Sequence, residues 1–209
     1  MLNRRTLLKT SAALLTSAAF PSTVALAETF NPSEIMKSFM LDDMTIGVPD
    51  APVTVIEYAS LTCGHCANFH RNTYPRLKSD FIETGKVRFI MREFPLDLVA
   101  TAGSMLARSL PADKYFGVVD LMFRNQQDWA FTDNPYESLL ALAKQIGFTQ
   151  ETFEVALTNQ KLLEDIIAGR EMALSKFGVD STPSFFINGE LHKGNMSIET
   201  IAKRIESAI

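Results

Sequence analysis

Leu61-Thr62-Cys63-Gly64-His65-Cys66-Ala67 holds both cysteines of a 209-residue chain, with two residues between them. The run before it, Val53-Thr54-Val55-Ile56-Glu57-Tyr58-Ala59, is rich in β-branched residues and reads as a strand. The run after it, Ala67 to Tyr74, continues as a helix. The pair therefore sits where a strand ends and a helix begins. Cys63 falls at the helix N-terminus, where unpaired N–H groups and the helix dipole favour an anion. A thiolate is the nucleophile of disulfide exchange. Cys66, one turn further in, can attack the mixed disulfide and close the cycle. A bridge spanning two residues removes little chain entropy from the unfolded state, so it suits opening and closing better than stapling.

Outward from this stretch, Pro75 is placed to kink or end the cysteine helix. A continuation through Leu77, Phe81 and Ile82 stops at Gly85. Val87 to Met91 is the next strand, and Arg92-Glu93 reads as its solvated end. Strand, helix and strand over about 40 residues form a βαβ unit with parallel strands. From Leu96 to Phe177 the pattern is helical. Trp129, Tyr115, Phe116 and Phe123 are expected in the core of this block. Thr149 opens one of its helices, but Thr152 stands where a capping-box glutamate would be. Ser184 to Ile187 is a strand after Thr182-Pro183, and Asn188-Gly189 is a strong hairpin signal. Ser197 caps a last helix. Upstream, Phe30 to Met44 has a helical look, with Ile35, Met36, Phe39 and Met40 on one side. The expected fold class is α/β, a small mixed sheet with an inserted helical subdomain at about 96–177. The expected segments are 1–27, 28–46 as a lead-in, and 47–209 as one domain.

Arg4, Arg5 and Lys9 precede an apolar, small-residue run, and Ala25-Leu26-Ala27 offers a cleavage site before Glu28. This predicts an export signal cleaved near Ala27. Arg4-Arg5 resembles a twin-arginine signal. Losing those three cations takes the formal charge from −4 to −7. An acidic chain without a Lys/Arg block argues against nucleic acid as partner.

Cys63-Gly64-His65-Cys66, Thr182-Pro183 before a strand and the helical block between them together resemble the DsbA family of exported thiol oxidoreductases. Asp50 to Tyr58 and Gly178 to Gly189 are similar to the same group. The resemblance implies a thioredoxin-like fold, a cis bond before Pro183, a periplasmic location and disulfide exchange as the activity. It implies no cofactor and no metal. Its partners would be reduced or misoxidised exported proteins and a membrane quinone-linked protein that reoxidises the cysteines.

On this reading Cys63 attacks, Cys66 resolves, and the two form the redox-active disulfide. His65 between them can hold positive charge or donate to the Cys63 sulfur, which would make the disulfide a stronger oxidant. Glu57, six residues before Cys63, should face inward with Val53 and Val55, and the resemblance gives such an acid a proton-relay role. Thr182 and Pro183 would meet the substrate chain. His70, four residues past Cys66, lies on the same helix face, while His192 falls on the hairpin. Two other functions compete. One is a disulfide isomerase or reductase kept reduced, toward which Thr182 leans. The other is a soft-metal protein using Cys63, Cys66, His65 or His70, although no second cysteine pair completes a four-ligand set.

Overall fold

The computed structural model describes residues 30–37 and 40–209. The expected export signal and Phe39 lie outside them. Five strands form one mixed sheet in the order β1-β3-β2-β4-β5. They are β1 (Met44–Ile46), β2 (Val53–Ala59), β3 (Val87–Glu93), β4 (Ser184–Ile187) and β5 (Glu190–Lys193). β2 runs parallel to β3, with Val53 opposite Val87 and Ala59 opposite Glu93. β4 lies antiparallel on the other side of β2, with Glu57 opposite Phe185.

β2 is central and buried on both faces, which is why it reads as an almost continuous apolar run. One face meets α2 (Gly64–Asn72) and α5 (Ala112–Arg124), through side chains such as Phe69, Met122 and Phe123. The other face, with Ile56, Tyr58 and Phe186, is covered by Ile35, Ala173, Phe177 and Val179. The helical block runs from α4 (Leu98–Arg108) through α5, α6 (Gln126–Trp129), α7 (Pro135–Gln145) and α8 (Gln150–Leu157) to α9 (Gln160–Phe177). Gly178, at φ 64°, ends α9 in the left-handed region. Asn188 and Gly189, both at positive φ, make the β4–β5 turn. Ser197 caps α10 (Ile198–Ala208) by accepting the Thr200 N–H.

Several expectations need correction. Among the described residues of the Phe30-to-Met44 stretch, the helical part is α1 (Pro32–Ile35), capped by Asn31 with proline in its first turn. Met44–Ile46 instead pairs antiparallel with β3, so the presumed lead-in contributes a strand to the sheet. Pro75 does not simply end the cysteine helix. It sits in the first turn of α3 (Tyr74–Leu77), where its missing N–H costs nothing, and a π-turn at Lys78–Ile82 follows. Thr152 does complete a capping box. Its hydroxyl accepts the Thr149 N–H at 2.9 Å while Thr149 Oγ1 accepts the Thr152 N–H at 3.1 Å.

Arg92-Glu93 is not solvated. Arg92 donates to both carboxylate oxygens of Asp43 at 2.7 and 2.9 Å and to the Tyr58 hydroxyl at 2.8 Å. Glu93 is buried, takes two 2.7 Å bonds from Arg108 on α4, and accepts from Tyr115 at 2.6 Å. The chain entering β1 and the helices α4 and α5 close over the end of β3, and each charge there has a partner brought from a distant element.

Candidate active site

β2 delivers the chain to Ala59, and a short loop carries it to Cys63, the N-cap residue of α2. The extended Cys63 backbone (φ −79°, ψ 118°) turns its sulfur back over the first turn, where Sγ accepts the Cys66 N–H at 3.3 Å. Sulfur here does the work of the usual cap oxygen. The loop is held from three sides. Cys63 N–H donates to the Ser60 carbonyl at 3.0 Å. Thr62 Oγ1 donates to Asp97 Oδ2 at 2.7 Å. The side-chain amide of Gln126, on α6, donates to the Leu61 carbonyl at 2.8 Å and the Cys63 carbonyl at 3.1 Å. Thr182 closes the fourth side: its carbonyl accepts from the Cys63 thiol at 3.3 Å, and the Thr182-Pro183 bond is cis. The Thr182 hydroxyl is buried with no hydrogen-bond partner among the described residues and is available to donate once that thiol ionises.

These contacts separate the two sulfurs electrically. The Cys63 thiol is held down to about 5, chiefly because the Cys66 thiol donates to it. Burial opposes this, while Thr182 and the N–H groups of Cys66 and His65 add to it. Cys66 is pushed well above its ordinary value by burial first, then by its bond to Cys63 and by the charge of Glu57. The reduced pair is therefore a thiolate at the helix N-terminus above a protonated, buried thiol.

Glu57 is fully buried on β2, and its Oε2 lies 3.0 Å from His70 Nε2. Alternation along the strand predicts that inward position. His70 points to Glu57 and stacks on Phe123 at 4.2 Å. The other oxygen of Glu57 and Nδ1 of His70 have no hydrogen-bond partner among the described residues. Because the Glu57 charge pushes Cys66 up, Glu57→Gln should lower the pH at which Cys66 ionises. Thiolate absorbance of a Cys63→Ser background checks this; an unchanged midpoint would remove Glu57 from the Cys66 environment.

His65 is exposed, and its backbone N–H is what meets the Cys63 sulfur. His192 lies on β5 with Nε2 3.6 Å from Glu190. With His65 in solvent and His70 against Glu57, the side chains that a soft-metal site would need do not converge, and no other such group converges among the described residues. Asp97 and Gln126 carry no signal in the sequence, because neither type is diagnostic and their partners lie 35 and 63 or more residues away.

A mixed sheet, a dithiol at the N-terminus of the helix after its central strand, and the Thr182 carbonyl against the first sulfur define a thioredoxin-fold thiol:disulfide oxidoreductase. The family model described as Thioredoxin matches residues 40–207. A Rickettsia bellii protein named "Putative protein-disulfide oxidoreductase" is 33% identical over 175 residues, 82% of this chain and 67% of that one. The solved structure of Wolbachia pipientis alpha-DsbA1 superposes with a TM-score of 0.78 at 30% identity, covering 86% of this chain and 96% of that one. BdbD from Bacillus subtilis, at 22% identity and a TM-score of 0.67 over 79% and 92% of the two chains, shares the fold. The chain belongs to the DsbA-like family of thiol:disulfide oxidoreductases, enzymes whose substrates are protein cysteines.

Proposed function

We propose that this enzyme is an exported oxidase that donates the Cys63–Cys66 disulfide to newly exported proteins and is then reoxidised by a quinone-linked membrane protein. The observation that carries the reading is the split between the sulfurs, with negative charge favoured at Cys63 and a proton at Cys66. In the forward reaction a substrate thiolate attacks Cys63 Sγ. A substrate–Cys63 bond forms, the Cys63–Cys66 bond breaks, and its electron pair goes to Cys66, which takes up a proton. A second substrate thiolate then attacks the substrate sulfur and releases Cys63 as a thiolate. The more stable that thiolate, the better it leaves and the more oxidising the disulfide. In this reading Glu57, whose charge acts on Cys66, relays that proton to it, and Thr182 and Pro183 meet the substrate chain. The sequence before Glu28, with its basic start and small-residue cleavage site, supports export.

Equilibration with glutathione tests the oxidase. A potential between about −180 and −120 mV is expected, against about −270 mV for a thioredoxin-type reductant. That is roughly 4 to 7 kcal/mol in favour of the dithiol relative to thioredoxin. A value near thioredoxin's, or a pair found mostly reduced in the exported protein, would overturn the oxidase in favour of the isomerase or reductase.

A further inference from the structure

Glu57 and His70 are closed off from solvent, their side chains 0% and 1% exposed, and Oε2 of the first lies 3.0 Å from Nε2 of the second. A carboxylate only accepts, so the hydrogen in that gap belongs to Nε2. The imidazole is packed among aromatic rings. Phe123 of α5 stacks on it at 4.2 Å, Tyr74 of α3 lies against it at 4.8 Å, and Phe69 meets it in a T-shaped contact at 5.5 Å. The grip on the carboxylate is one-sided. Among the described residues His70 is the donor to Glu57, and Glu57 Oε1 is buried without a hydrogen-bond partner. An interior carboxylate with one oxygen bound and one bare is costly as structure alone. Such a cost points to a use for the bare oxygen.

We infer that His70 is a positioning residue for the resolving half of the exchange: by holding Oε2 it fixes the Glu57 carboxylate and leaves Oε1 as the oxygen that takes the Cys66 proton and returns it. The inference rests on the relay role given to Glu57 above. When the dithiol is reoxidised, a mixed disulfide first joins Cys63 to a partner sulfur. Cys66 then attacks Cys63 Sγ. The Cys66–Cys63 bond forms, the Cys63–partner bond breaks with its electron pair leaving on the partner sulfur, and the Cys66 proton passes to Glu57 Oε1. In disulfide donation the same proton runs back to Cys66 as that sulfur leaves. His70 keeps its Nε2 hydrogen throughout and acts through Glu57. Without that bond the carboxylate is free to turn, and a proton acceptor out of place slows a transfer that depends on alignment.

Mixing the reduced full-length enzyme with oxidised glutathione tests this, because rapid acid quench and mass measurement separate two steps. Cys63 first forms the glutathione mixed disulfide, and Cys66 then resolves it. His70→Phe keeps a ring against Phe123 but has no N–H. At neutral pH it should slow resolution at least about tenfold and leave the first step unchanged. His70→Gln, whose side-chain amide restores an N–H at similar reach, should recover most of the rate. Glu57→Gln should slow the same step, and adding His70→Phe to it should change nothing further. Should His70→Phe not fold, His70→Met, also without a donor, takes its place in the series. An unchanged resolution rate in His70→Phe would overturn the inference. So would both steps slowing together, a His70→Gln enzyme as slow as His70→Phe, or a further loss in the Glu57→Gln background, each of which makes His70 a packing residue and leaves the relay standing. A Glu57→Gln enzyme that resolves as fast as the wild type removes the relay itself, and this inference with it.

Discussion

Cys63→Ser should reduce disulfide exchange at least about a thousandfold, and the intact thiol should titrate with a midpoint near pH 5. Both results come from one arrangement. The sulfur at the start of α2 receives the Cys66 thiol proton and the N–H groups of Cys66 and His65, so charge is better stabilised there than in the unfolded chain. The sign of the pH dependence follows. A group whose folded value lies below its unfolded one stabilises the fold fully above the unfolded value, about pH 8.5. That stabilisation is lost as pH falls through about 5. The reduced protein should therefore lose stability relative to the oxidised protein as the solution is acidified over this window, since the disulfide has no thiol to titrate. Denaturant unfolding of both forms at several pH values, alongside thiolate absorbance, measures it. A midpoint near that of free cysteine would defeat the thiolate, and with it the oxidase.

Arg108→Ala should destabilise the fold by about 3 to 5 kcal/mol, the range for breaking a buried ion pair from one side. The Arg108 and Glu93 side chains are 6% and 5% exposed and joined by two 2.7 Å bonds. Removing the guanidinium leaves a carboxylate in the interior with only the Tyr115 hydroxyl for company. It also strips the Asp42 carbonyl of its donor. A double change, Arg108→Leu with Glu93→Leu, should cost much less than the single one, because neither buried charge is left alone. Equilibrium urea unfolding at neutral pH compares the variants. A loss below about 1 kcal/mol for Arg108→Ala would mean that water reaches this corner of the sheet.

The sequence makes some parts of this molecule plain and hides others, for a common physical reason. Features set by neighbours in the chain are readable. The cysteine pair at a strand–helix junction, the Asn188-Gly189 turn and the inward face of Glu57 all depend on residues within a few positions. Features set by distant partners are not. Arg92 and Glu93 resemble any polar strand end until Asp43, Arg108 and Tyr115 arrive from 49, 15 and 22 residues away. Gln126 resembles an ordinary helix residue until its amide reaches the Leu61 and Cys63 carbonyls. His70 has the right spacing to meet Cys66, and only the fold shows that its Nε2 lies 3.0 Å from Glu57 while its ring stacks on Phe123. The short β1 strand is hidden because three residues carry too little periodicity to compete with the helical pattern upstream.

Gly103 gives the helical block its seat against the cysteine loop. A Cβ there would fall 2.9 Å from the Trp129 ring and 3.0 Å from the Leu61 side chain, so α4 is pressed onto α6 and the loop with no room to spare. The Gln126 amide then crosses to two carbonyls of that loop. An engineer trimming this chain to a bare thioredoxin-sized module by excising 96–177 would strand those carbonyls and release Thr62 from Asp97. The helical segment is a splint for the reactive turn, and a shortened module would have to supply its own.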